Sequence, residues 1–125
     1  MFRLLVAGGR DFYDYKYIEE VLTNWFINDF PEDPSSREES EITLVHGDSA
    51  GVDRIAAAWA AYNGLLIEPH PAKWESLGRQ AGIIRNKEMI QSGINYAILF
   101  PGSKGTLNME RQLIAANISF LHAIP

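Results

Sequence analysis

Three short stretches combine glycine with groups that can hold an anion: Gly8-Gly9-Arg10-Asp11, Gly47-Asp48-Ser49-Ala50-Gly51-Val52-Asp53 and Gly102-Ser103-Lys104-Gly105-Thr106. Glycine lets backbone amides come close to a ligand and adopt positive φ. Arg10 offers a planar fork that suits phosphate, or a surface ion pair. Lys104 adds a point charge and Thr106 a hydroxyl donor. Asp53 falls in the first turn of a predicted helix. There it complements the helix dipole, or it accepts hydrogen bonds from a ribose diol. Asp48 or Ser49 is expected to cap that helix. The stretch at 102–106 opens the last helix, whose free amides favour phosphate. A short Gly-x-x-Gly also makes a tight turn with no ligand at all. The loop is not a Walker loop, because no Gly-Lys-Ser/Thr ends it. No Gly-x-Gly-x-x-Gly dinucleotide fingerprint occurs in the chain.

Other chemistry-bearing residues are sparser. Arg79, Arg85 and Lys87 surround the third helix. Arg85 follows Ile83-Ile84 and precedes Asn86, a setting that suits a surface arginine with a buried stem. Trp74 either plugs the edge of the core or stacks on a base. His46, His70 and His122 lack metal-ligand spacing, and no serine-histidine-acid set can be assembled. No metal or cofactor is expected. The chain has no cysteine, which removes disulfides, thiolate zinc sites and cysteine nucleophiles together and fits a reducing compartment.

The elements that must position these loops are readable from periodicity. Apolar runs of strand length at Arg3 to Ala7, Ile42 to Val45, Leu65 to Ile67, Tyr96 to Phe100 and Ile118 to His122 alternate with segments of helical period. Helices are predicted over Asp14 to Asp29, Val52 to Tyr62, about Gln80 or Ala81 to Gln91, and Leu107 to Ala116. Asp14 is the expected N-cap of the first, and Asn63-Gly64 the end of the second. Pro31 to Glu41 reads as an exposed loop and Pro69 to Gly78 as irregular chain. Strands alternating with helices predict a Rossmann-like three-layer α/β/α domain with a mostly parallel five-stranded sheet. In such sheets ligands bind beyond the carboxyl ends of the strands, where strand order reverses. That rule selects the same three glycine-bearing loops.

The 125 residues fit a single domain spanning 1–125. Eleven basic and sixteen acidic side chains give a net charge of −5, which disfavours extended nucleic acid and leaves a small phosphorylated ligand open. No apolar run reaches membrane-spanning length, and the N-terminal one is cut off at Gly8-Gly9. A cytoplasmic protein with no membrane partner is expected. Tyr13, Tyr17, Trp25 and Trp59 offer more aromatic surface than one small core needs, so a homo-oligomer is expected too.

Taken in order, these residues resemble the YspA-like proteins of the SLOG superfamily, the Rossmann-like group that also holds the Lonely-Guy phosphoribohydrolases and the DNA-processing protein DprA. The resemblance runs nearly end to end. It rests on Ala7-Gly8-Gly9-Arg10-Asp11-Phe12, on Val45 through Arg54, on Ala58-Trp59-Ala60 and Pro71-Ala72-Lys73-Trp74. It continues through Gly78 to Met89 and through Phe100-Pro101-Gly102-Ser103-Lys104-Gly105-Thr106. It implies a pocket for a nucleotide or nucleotide-derived ligand lined by the glycine loops, and it implies that relatives pair. It gives weight to Gly9, Arg10, Gly47, Asp53, Arg85, Gly102, Gly105 and Thr106. Arg85-Asn86 with Met89 is similar to the arginine-bearing helix beside the Lonely-Guy ligand.

The departures are as informative. Lonely-Guy enzymes carry Pro-Gly-Gly-x-Gly-Thr-x-Glu-Glu. Here Ser103 replaces the second glycine, and Asn108 and Met109 replace the glutamates. N-glycoside cleavage passes through an oxocarbenium-like state that a carboxylate stabilises. Asn108 cannot carry that charge. Glu110 lies two places on, about 200° further round the helix. The leading expectation is therefore binding or sensing of a nucleotide-type ligand, with nucleotide hydrolysis the alternative and single-stranded nucleic-acid binding a third. Catalytic residues are unassigned; Arg85 and Asp53 are the candidates if turnover occurs.

Overall fold

The computed structural model describes residues 1–30 and 42–125. The loop expected over Pro31 to Glu41 lies outside them. Five strands form one all-parallel sheet: β1 (Phe2–Ala7), β2 (Ile42–His46), β3 (Leu66–Pro69), β4 (Tyr96–Leu99) and β5 (Phe120–His122), in the order β3-β2-β1-β4-β5. The long helices are α1 (Tyr15–Asn24), α2 (Val52–Tyr62), α4 (Ala81–Gln91) and α5 (Lys104–Ala115), with a one-turn helix α3 (Trp74–Leu77) before α4. This is a Rossmann-like α/β fold.

Strand side chains alternate between two cores, as the pleat requires. Leu4, Val6, Ile42, Leu44 and Ile98 pack against Ile18 and Leu22 of α1 and against Val52, Ala56 and Trp59 of α2. Leu5, Val45, Ala97 and Leu99 face Met89 of α4 and Met109 and Leu113 of α5. Apolar residues at both parities explain why the strands read as unbroken hydrophobic runs.

Several expected boundaries shift. The first helix is capped by Asp14, whose Oδ1 accepts from the Tyr17 amide at 3.2 Å, but it changes to a π-helical turn over Trp25–Asp29. That turn joins Trp25 and Phe26 to an aromatic cluster with Phe2, Phe30, Trp59 and Tyr96. The third strand lies later than expected, at Leu66–Pro69. The stretch expected to be irregular after it holds α3 and a 3-10 turn over Gly78–Gln80. The last helix starts at Lys104 rather than Leu107, because a first-turn glycine obscures its period. Trp25 and Trp59 are 3% and 5% exposed, and Tyr17 stacks edge-on against Phe12 and Phe100. Of the four aromatics expected to be in surplus, only Tyr13 remains exposed. Among the described residues, no helix is long and apolar enough to cross a membrane.

Candidate functional site

Strand order reverses between β1 and β4, so the loops after β1, β2 and β4 meet at one end of the sheet. Gly9 ties them together. Its amide donates to the Pro101 carbonyl at 2.7 Å, and its own carbonyl accepts from the Phe12 and Val52 amides, each at 3.3 Å. A Cβ on Gly51 would collide with the backbone of Gly9 and Arg10, and Gly51 itself sits at φ +75°. Gly8 lies against the Val52 side chain with no space for a methyl group. These glycines thus set how closely the loops approach.

The loops enclose an open cavity of about 250 Å³. Gly8, Gly9 and Arg10 border it from the first loop, and Gly47, Ser49 and Asp53 from the second. Trp74, Arg85 and Asn86 border it from α3 and α4, and Ser103, Gly105 and Thr106 from the start of α5. Gly102 lines an adjoining recess shared with Gly9, Arg10 and Ser103. Three other expected residues lie off the main cavity. Gly51 packs loop on loop, Asp48 turns outward to Arg54 at 3.8 Å, and the Lys104 side chain is exposed. Ala7, Asp11, Gly82 and Met109 also border the cavity and were not named as site residues from sequence, and Met89 was pointed to only by the family resemblance. Helical spacing would have found two of these, since Met89 is one turn beyond Arg85 and Met109 one turn beyond Thr106.

Arg85 is drawn inward rather than lying on the surface. Its guanidinium lies against Gly47, where any side chain would displace it, and donates through Nη1 to the Gly47 carbonyl. Its Nε donates to Asn86 Oδ1 at 2.9 Å. Burial pushes its pKa down, while Asp53 opposes that shift. Asn86 is buried, and its Nδ2 donates to the Gly105 carbonyl at 3.2 Å and to Asn108 Oδ1 at 3.1 Å. Asn86 therefore both aims Arg85 and fastens α4 to the start of α5. Asn108 is engaged with Asn86 and Gln112. Met109 presents a buried thioether where the Lonely-Guy pattern has a carboxylate.

The capping expected at α2 is not observed. Gly51 occupies the N-cap position without a side-chain bond. Asp48 takes a left-handed conformation at φ 56°, held by its amide donating to His46 Nδ1 at 2.9 Å. That turn carries the Asp48 side chain away from the helix. The Ser49 amide instead donates to Asp53 Oδ2 at 3.2 Å. Asp53 is only 5% exposed, and its Oδ1 has no hydrogen-bond partner. Burial raises its pKa to about 6, against the pull of the Ser49 amide, Arg85 and the Gly47 amide. His46 is buried and its pKa is lowered by that burial. Its Nδ1 accepts, so the neutral ring carries its proton on Nε2.

At the start of α5, the Ser103 side chain makes no capping bond. The first-turn amides of that helix are thus left for another acceptor. Arg10 and the uncapped amides of α5 lie on the β1 and β4 side of the cavity, while Arg85, seated on Gly47, and the Asp53 carboxylate lie on the β2 side.

A family model for the YspA, cpYpsA-related SLOG family matches residues 2–76. The gene 61 protein of Mycobacterium phage D29 is 31% identical over 129 residues, covering 98% of this chain and 96% of that protein. No solved structure matches significantly. The matched span holds two of the three cavity loops, and the phage protein aligns through the third. The chain belongs to the YspA, cpYpsA-related SLOG family.

Proposed function

We propose that this protein binds a nucleotide or nucleotide-derived phosphorylated ligand in the cavity at the carboxyl ends of its strands, and holds it without cleaving it. The observation that carries this is the meeting of Arg10, Arg85 and the uncapped start of α5 on one open cavity at the point of strand reversal. Oriented amides beside a guanidinium fork are a phosphate-binding arrangement. The cavity volume lies near the lower end for small-ligand pockets, which suits a mononucleotide better than a dinucleotide. Met109 in place of an acid supports capture over N-glycoside cleavage.

Equilibrium dialysis against a panel of nucleoside phosphates and ADP-ribose derivatives tests this, with both chambers read by liquid chromatography and mass spectrometry. The expected outcome is an intact ligand enriched on the protein side. Released base or sugar phosphate would replace capture with hydrolysis, and Asp53 would then be the carboxylate to remove. No enrichment of any compound would overturn the reading. Light scattering on the same samples reports whether copies of the chain pair, which we also propose.

A further inference from the structure

We infer that Asp53 reads the sugar of the bound ligand: its free oxygen takes a ribose hydroxyl, so the site selects ribonucleotides over their deoxy forms. This rests on the nucleotide-binding reading above and adds the group that gives it specificity.

Asp53 is a buried carboxylate bordering the cavity with one oxygen satisfied and one not. Leaving a buried acceptor without a donor is unfavourable, so the site is complete only when something supplies one. No protein cation pairs with it among the described residues. Arg85 is nearby but spends Nη1 and Nε on Gly47 and Asn86. The Gly47 amide also acts on this carboxylate without making a hydrogen bond to Oδ1, and a donor on the ligand would complete it. A phosphate cannot serve, because it brings only acceptors and like charge.

The order of the strands says which part of a nucleotide reaches Asp53. The start of α5 follows β4, Arg10 follows β1, Asp53 follows β2 and Trp74 follows β3. In the sheet these strands run β4, β1, β2, β3. The α5 amides and Arg10 thus lie toward one end of the row and an exposed indole at the other, with Asp53, and Arg85 beside it, between them. Two strand spacings, about 10 Å, separate the β4 and β2 positions. A phosphate, a sugar and a hydrogen bond at each end fill that span. The base then lies toward Trp74, whose ring rests against Gly82 and is 49% exposed.

Titration calorimetry with the four ribonucleoside 5′-monophosphates and their 2′-deoxy, 3′-deoxy and 2′,3′-dideoxy forms tests the assignment across all four bases. For whichever base binds, the ribo form should bind about tenfold or more tightly than the dideoxy form, as expected when a buried acceptor loses its donor. The single deoxy forms name the hydroxyl. In Asp53→Asn, a near-isosteric neutral change, that ratio should fall at least about threefold, because the charge-assisted bond is lost. Equal affinity of ribo and dideoxy forms for the wild-type chain would overturn the inference and leave the nucleotide reading standing. So would a ratio unaltered by Asp53→Asn. Binding by none of the compounds would remove both.

Discussion

At the scale of single residues, Gly47 shows how one hydrogen atom decides the geometry of a site. The Arg85 guanidinium occupies the space that any Cβ on Gly47 would need. The obstacle is the far end of a flexible side chain, so Gly47→Ala should leave the fold within about 1 kcal/mol of wild type by thermal melting. Ligand affinity should fall about tenfold or more, because the displaced fork loses the position from which it faces the cavity. Equal loss of stability and affinity would show that Gly47 serves only packing. The sequence named Gly47, Arg85, Asn86 and Asp53 as site residues, and all four border the cavity. It could not show that Arg85 is seated on Gly47, since 38 positions separate them. Nor could it show that Asp53 is buried with a free oxygen. First-turn aspartates usually sit exposed at the helix dipole, and only the tertiary position of the Ser49 loop removes this one from water.

At the scale of elements, the start of α5 is the most telling difference between expectation and fold. Periodicity placed the helix from Leu107, and the structure begins it at Lys104, which puts Gly105 and Thr106 inside the first turn. Gly105 has open space where a Cβ would go and no positive φ to require glycine. Alanine is the better helix former there by about 0.5–1 kcal/mol, so Gly105→Ala should raise the melting temperature by a few degrees. The same methyl group would project where a phosphate approaches the amides, so affinity should fall. Opposite signs for stability and binding would mark this glycine as serving the ligand. If both rise or neither changes, the phosphate lies elsewhere. The remaining elements were legible because apolar runs and helical stripes are local signals. The π-helical turn after α1 was not, because packing of Trp25 and Phe26, rather than local spacing, holds that turn.

At the scale of the whole molecule, two carboxylates give the stability opposing dependences on pH. The Asp53 pKa is raised from 3.8 to about 6 in the fold. Between those values the folded chain keeps a proton that the unfolded chain has lost, so stability declines as pH rises through the window. The loss is complete above about pH 6 and amounts to about 3 kcal/mol. Asp53→Asn should therefore be more stable than wild type at pH 7 and show a flatter profile between pH 4 and 6 in thermal melts. A variant less stable at pH 7 would show that the carboxylate is favourably solvated. Glu68 acts the other way. Arg3 donates to both its oxygens, at 2.9 and 2.6 Å, and with His70 holds its pKa at about 2. That stabilisation is present above pH 4.5 and fades as pH falls toward 2. The pair is partly exposed and screened, so it contributes about 1 kcal/mol or less. Arg3 also donates to the Gly93 carbonyl and Ser92 Oγ, clamping the end of α4. Contacts between residues 65 to 90 positions apart leave no local mark, and this clamp was not foreseen. Strand alternation and the meeting of the three glycine-bearing loops where strand order reverses follow from topology, and those were foreseen.

The placement of the three tryptophans gives the protein an optical reporter of its own. Trp25 and Trp59 are enclosed in the core, where their emission should be blue-shifted and shielded from acrylamide. Trp74 stands half in water at the cavity rim, so the red-shifted, quenchable part of the spectrum should be its alone. A ligand whose base covers that indole would alter this component and leave the core signal untouched. Unfolding would move the other two. One unlabelled sample can thus report occupancy and stability at separate wavelengths, and Trp74→Phe should silence only the first.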